Sequence, residues 1–125
     1  IILEQHAAAL AARRRTDADI LALTQALATY EHKVGEGEPA IEEDLSFHLK
    51  IADLSGNTVL RTLLGIIAPD LVRHYRDLKV CDDESVAVAL DQHKTILRHI
   101  VARDPEAAAN AMTVHLQKAF AVSLQ

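Results

Sequence analysis

Aromatic residues are nearly missing from this sequence: two Tyr, two Phe and no Trp in 125 residues. That scarcity, in a chain rich in Ala and Leu, argues against a strand-built sandwich or barrel. Its single cysteine, Cys81, excludes an internal disulfide and a Cys-x-x-Cys thiolate metal site, and fits a reducing, cytoplasmic setting. No run approaches the roughly eighteen uninterrupted apolar residues that a membrane helix needs, and no basic segment precedes a short apolar stretch at the start. Neither a membrane partner nor a visible secretion signal is therefore expected. Basic charge is also in deficit, with 13 Lys and Arg against 18 Asp and Glu for a net −5, so this segment offers no field to hold a phosphate backbone by itself. Nucleophile elbow, Walker loop, dinucleotide fingerprint and Glu-x-x-His pairs are all missing, which leaves catalysis little to stand on.

Half of the residues are apolar, enough for one domain over 1–125 and too few for two. The chain starts without Met, at Ile1-Ile2-Leu3, already in a helical pattern, and is expected to begin inside a longer polypeptide. Ile2-Leu3, Ala7, Leu10 and Ala11 form a first stripe that ends at Arg13-Arg14-Arg15, where cations suit a helix C-terminus. Thr16 with Asp19 makes a capping signal for a second helix with Ile20, Leu23, Leu27 and Tyr30 inward, stopped by Gly35 and Gly37. Pro39 opens a third, with Ile41, Leu45, His48 and Ile51 or Ala52 on the buried face until Ser55-Gly56. Asn57 caps a fourth, from Val59 to about Lys79, in which Pro69 should bend or break the helix. Asp82 and Asp83 start a fifth, with Val86, Leu90, His93, Leu97 and Ile100 inward. Asp104-Pro105-Glu106 starts a sixth, lined by Ala108, Ala111, Met112, His115 and Ala119. The expected architecture is an all-α antiparallel bundle of about six helices, kinked near Pro69, whose sequential neighbours pack around one core.

Seven histidines are many for this length, and three of them fall on apolar faces. Asp44 and His48 are four apart, one helical turn, among Ile41, Leu45 and Ile51. His93 lies between Leu90 and Leu97, and His115 between Met112 and Ala119. A buried, unpartnered carboxylate costs several kcal/mol, about what a small domain has to spare, and a divalent cation would compensate it. Asp44, His48, His93 and His115 thus form a candidate metal set suited to Zn, Ni, Mn or Fe. In octahedral coordination it would leave room for water or a chelating small acid. The competing reading is a core of hydrogen-bonded histidines, with Asp44 paired to His48 or an Arg. Four potential ligands on three helices favour the metal. His6, His32 and His99 read as solvated, His74 as a reserve ligand, and Cys81 as packing or a loop thiol.

With these residues in view the chain resembles the effector-binding C-terminal domain, the FCD domain, of GntR-family transcription regulators of the FadR subfamily. The resemblance rests on Leu3-Glu4 followed by Ala-Ala-Leu-Ala-Ala-Arg over 8–13, Thr16, Asp44-Leu45-Ser46-Phe47-His48, Ser55-Gly56-Asn57, Asp91-Gln92-His93, Arg103-Asp104, Ala107-Ala108 and His115-Leu116. It covers essentially the whole chain. It implies a helical bundle whose central cavity holds a divalent metal at positions matching Asp44, His48, His93 and His115, and on that metal a small carboxylate effector. It also implies a homodimer, with DNA contacted only through an N-terminal winged helix domain that this chain lacks. Fatty-acid-responsive relatives lack these ligands and bind acyl-CoA, whereas this chain keeps all four. An Arg that members often carry just before the Leu-Glu pair would fall before Ile1.

Two further residues are candidate effector contacts. Asn57, at a helix N-terminus, could offer its amide and free backbone N–H groups to an anion, and Arg61 one turn on could add charge. Their ordinary alternatives are an N-cap and a solvated surface Arg. The expected function is a ligand-sensing regulatory module; a metal-dependent enzyme acting on a small organic acid is the alternative, and a purely structural dimerisation bundle a third.

Overall fold

The computed structural model describes residues 2–78 and 83–123. Six helices follow one another: α1 (Ile2–Arg14), α2 (Asp17–Gly35), α3 (Ile41–Ser55), α4 (Thr58–Leu78), α5 (Asp83–Val101) and α6 (Pro105–Ser123). Among the described residues there is no strand, and no helix is long and apolar enough to cross a membrane.

The helix ends form for the reasons their sequences suggest. Asp19 N–H donates to Thr16 Oγ1 at 3.1 Å while Thr16 N–H donates to Asp19 Oδ2 at 3.0 Å, a reciprocal capping box on α2. Leu60 N–H donates to Asn57 Oδ1 at 3.0 Å, capping α4, and Ala107 N–H to Asp104 Oδ1 at 3.1 Å, capping α6 with Pro105 as its first residue. Gly56 closes α3 in the left-handed region at φ 75°. A Cβ there would strike the Arg14 guanidinium, which crosses over it to donate to Ser55 O at 3.2 Å. Asp82 and Cys81 lie outside the described residues.

Two expectations need correction, at Pro39 and in the pairing of helices. Pro39 is not the first residue of α3: Ala40 stands between, buried and left-handed at φ 56°. Pro39 fixes only its own φ, and the entry angle is set by Ala40. Of the two outcomes expected at Pro69, a break is excluded, since α4 is continuous across it; Pro69 is exposed, so the carbonyl that loses its partner can turn to water. Sequential neighbours do not all pack. α2 with α3, α3 with α4 and α5 with α6 are side by side, joined by the short links 36–40, 56–57 and 102–104. α1 instead packs on α6, α3 and α5, and α2 on α3 and α5. One extended residue, Thr16 at φ −105° and ψ 170°, turns the chain from α1 into α2, and Arg15 anchors that corner by donating to Val101 O at 2.8 Å.

α1 is thus the central helix, and its composition explains how. Ala7, Ala8, Ala11 and Ala12 are buried to 2% exposure or less, while Leu10 is only half-buried. Small side chains let α3, α5 and α6 approach its backbone closely. The same core includes Leu23, Leu27 and Tyr30 of α2, Phe47 and Ile51 of α3, Leu60 of α4, Ile96 and Ile100 of α5, and Ala108 and Met112 of α6. Ile96, not Leu97, takes the inner position on α5. The side chains of Ile2, Leu3 and Ala119 are outside the described set.

Candidate metal centre

The site lies where α3, α5 and α6 face one another beneath α1. Asp44 and His48 share one face of α3 at i and i+4; His93 comes from the middle of α5 and His115 from α6. One ligand atom from each of these four residues lies within 4.8 Å of every other. Asp44 Oδ1 is 2.7 Å from His93 Nε2 and 3.3 Å from His48 Nε2. His48 Nε2 is 3.2 Å from His115 Nε2. The candidate metal ligands are therefore brought together as a set.

The surroundings hold the rings in place. His93 is fully buried and sits edge-on to Tyr30 and Phe47, with ring centroids 4.7 and 4.9 Å away. His48 and His115 stack with centroids 5.1 Å apart and planes inclined by 15°. Behind them stand two residues that the sequence reading missed. Glu4 Oε1 of α1 is 2.8 Å from His48 Nδ1, and Gln92 Oε1 of α5 is 2.8 Å from His115 Nδ1. Each outer nitrogen thus meets an acceptor and carries the proton, which leaves the inner Nε2 to face the cluster.

The protonation balance follows from these contacts. Burial works against a charged His48, but Glu4 and Asp44 beside it raise its pKa to about 10. Burial also acts on His115, and the neighbouring His48 and His93 add to it, lowering its pKa to about 3. Burial would raise the Asp44 carboxyl, yet His93 and His48 hold it well below its usual range. Glu4 is likewise raised by burial and lowered more strongly by His48.

Ordinary hydrogen bonds satisfy His48 and His115 but leave part of this cluster unsatisfied. Buried Asp44 Oδ1 and both ring nitrogens of His93 have no hydrogen-bond partner, since the 2.7 Å approach of Oδ1 to Nε2 lacks the necessary alignment. Converging lone pairs with orphaned polar atoms are what a cation's ligands look like before it is counted. The donor set fits: three imidazoles and a carboxylate suit a borderline divalent ion, and the charges of Asp44 and Glu4 balance it.

Asn57 and Arg61 are engaged elsewhere. Asn57 caps α4, and its backbone N–H donates to Ser55 Oγ at 3.1 Å. Arg61 pairs with Asp53, Nε to Oδ1 at 2.7 Å, at the surface. The side chain of His74, the reserve ligand, is outside the described set. A groove of about 510 Å³ between α3 and α4, lined by Leu45, Leu49, Ala68 and Pro69 among others, includes none of the four clustered residues.

Comparison with known proteins decides the family. The model of the FCD domain matches residues 1–118. This chain belongs to the FCD domain family. The FCD domain is 30% identical over 119 residues, 92% of the chain, to the HTH-type transcriptional regulator LutR of Bacillus subtilis, of which that match covers 54%. It is 31% identical over 125 residues to the Uxu operon transcriptional regulator of Escherichia coli, covering 93% of this chain and 48% of that one. Its fold matches a Streptococcus agalactiae GntR structure with a TM-score of 0.82 and 28% identity, over 94% of this chain and 53% of that one. The chain spans about half the length of these relatives. The curated relatives are named as transcriptional regulators and the structural neighbour as a GntR protein.

Proposed function

We propose that this FCD domain is the sensing half of a GntR-family regulator, and that it binds one divalent cation through Asp44, His48, His93 and His115. The observation that carries the reading is that His48 Nε2 and His115 Nε2 lie 3.2 Å apart, with the orphaned Oδ1 of Asp44 3.3 Å from His48 Nε2. The cation would supply Lewis acidity and open coordination positions for the carboxylate of a small organic acid. The protein's part is to fix the donors and limit access. His93, His48 and His115 are buried, while the Asp44 side chain keeps 36% exposure, so an effector approaches from the Asp44 side. Effector binding then shifts the placement of winged helix domains in a cytoplasmic homodimer, by as much as its affinity differs between the two arrangements. Asn57 and Arg61 join as effector contacts only by giving up the helix cap and the Asp53 pair.

Elemental analysis of protein purified without chelator or metal-binding tag tests this directly. About one divalent ion per chain, lost in His93→Ala and Asp44→Ala, is the expected result. No ion after supplementation at pH 7.5 would leave the cluster as a polar core. In the loaded protein, hydroxy- and keto-acids should raise the melting temperature more than acyl-CoA does; the reverse order would overturn the effector class.

A further inference from the structure

We infer that Glu4 is the positioning residue of the centre: by accepting the Nδ1–H of His48 it aims Nε2 into the cluster and couples α1 to metal occupancy. The inference rests on the metal reading above. A neutral imidazole has two tautomers, and only the one with its proton on Nδ1 leaves Nε2 a lone pair for a metal. An ionised carboxylate can only accept, so Glu4 Oε1 at 2.8 Å selects that tautomer. Gln92 does the same for His115 at 2.8 Å, but with a neutral amide. The charged bond is the stronger of the two and adds electron density to the ligating ring.

Position makes Glu4 more than a local support. The four clustered residues come from α3, α5 and α6, whereas Glu4 lies in the first turn of α1. Its carboxylate is four-fifths buried against His48, with side-chain exposures of 20% and 9%. Its second contribution is charge. With Asp44 it supplies two negative charges at a site of three imidazoles, the balance a divalent ion needs. Whatever changes the hold on His48 is therefore felt at the start of the central helix.

The experiment is a Zn²⁺ titration against a competing chelator, on the 125-residue chain and its Glu4→Ala and Glu4→Gln variants, with helix content checked in chelator alone. Nitrogen-15 spectra of the histidine rings in the zinc-loaded protein provide the second readout. Glu4→Ala should bind zinc about 10- to 100-fold more weakly. Glu4→Gln, which keeps an acceptor oxygen, should recover most of that loss. The wild-type spectrum should show His48 ligating through Nε2 with a slowly exchanging Nδ1–H, and that proton should exchange quickly in Glu4→Ala. Equal zinc affinity in wild type and Glu4→Ala, or ligation of His48 through Nδ1, overturns the role of Glu4 while leaving the metal site standing. A Glu4→Gln variant as weak as Glu4→Ala overturns the tautomer argument. Failure of the wild type to bind zinc removes the metal reading and this one with it.

Discussion

His48 and His115 point their Nε2 atoms at each other across 3.2 Å, each with its Nδ1 anchored to an acceptor on another helix. Two lone pairs cannot face one another at that distance in a buried site; something positive must lie between or beside them. In the metal-free protein that is a proton, which the raised pKa of His48, about 10, retains at neutral pH. A cation held as proposed above would therefore have to displace that proton.

Protonation sets the pH dependence of the metal-free protein. Between about 6.5 and 10 the folded state holds a proton on His48 that the unfolded chain has lost, so stability falls as pH rises through this window. Between 6.5 and about 3 the unfolded chain binds a proton at His115 that the folded state refuses, so stability falls as pH drops. Denaturant melts in chelator should give a maximum near pH 6.5. A steady rise toward pH 9 would contradict the assignment. Added zinc should raise the melting temperature more at pH 8 than at pH 6, with about one proton released per ion at pH 7.

His93 separates binding from folding. It is fully buried against Tyr30 and Phe47, with neither nitrogen hydrogen-bonded. His93→Phe should abolish metal binding and destabilise the metal-free protein less than His93→Ala does, because the ring volume is kept and only the support of His93 for the Asp44 carboxylate is lost. His93→Ala should lose metal and destabilise by about 2–4 kcal/mol through the cavity it leaves. Chemical denaturation in chelator, paired with metal analysis, distinguishes the two.

Asn57 can be judged by what replaces it. Asn57→Ala removes the α4 cap and should cost about 1 kcal/mol, whereas Asn57→Asp preserves the oxygen that Leu60 N–H uses and should cost little. If Asn57 also meets an effector carboxylate, Asn57→Asp should weaken the acid-induced thermal shift by repulsion while the melting temperature without acid stays near wild type. Arg61→Ala, which breaks an exposed pair with Asp53, should change stability by less than about 1 kcal/mol.

Close packing of α1 predicts intolerance to size. Ala11 is 0% exposed at the centre of the bundle. Ala11→Leu should destabilise by about 1–3 kcal/mol, while the same change at exposed Ala28 should be nearly neutral. Thermal melts of the two variants check this.

The four ligand candidates were legible because chemistry and periodicity agreed: Asp44 and His48 are one turn apart, and His93 and His115 interrupt apolar stripes. The caps at Thr16, Asn57 and Asp104 were legible because they are local. Glu4 left a fainter signal. It shares a face with Ala7, Ala8 and Ala11 at spacings of three, four and seven, an acid on an apolar stripe. Gln92 stood in the Asp91-Gln92-His93 motif without a role, since its partner is 23 residues away and only packing of α5 on α6 creates the pair. Pairing of helices was misjudged at α1 because alanine stripes do not name their partners; closeness to α3, α5 and α6 is decided by the whole assembly.

The first helix packs most extensively against the last, which gives the domain an order of completion. Until α6 is synthesised the alanine face of α1 lacks the helix that covers it, and His115 arrives only with α6. A truncation after Asp104 would remove a ligand and uncover the central helix in one stroke, so unfinished copies should be protease-sensitive and unable to retain metal. Covering the central helix and assembling the four clustered residues thus depend on the same helix, α6.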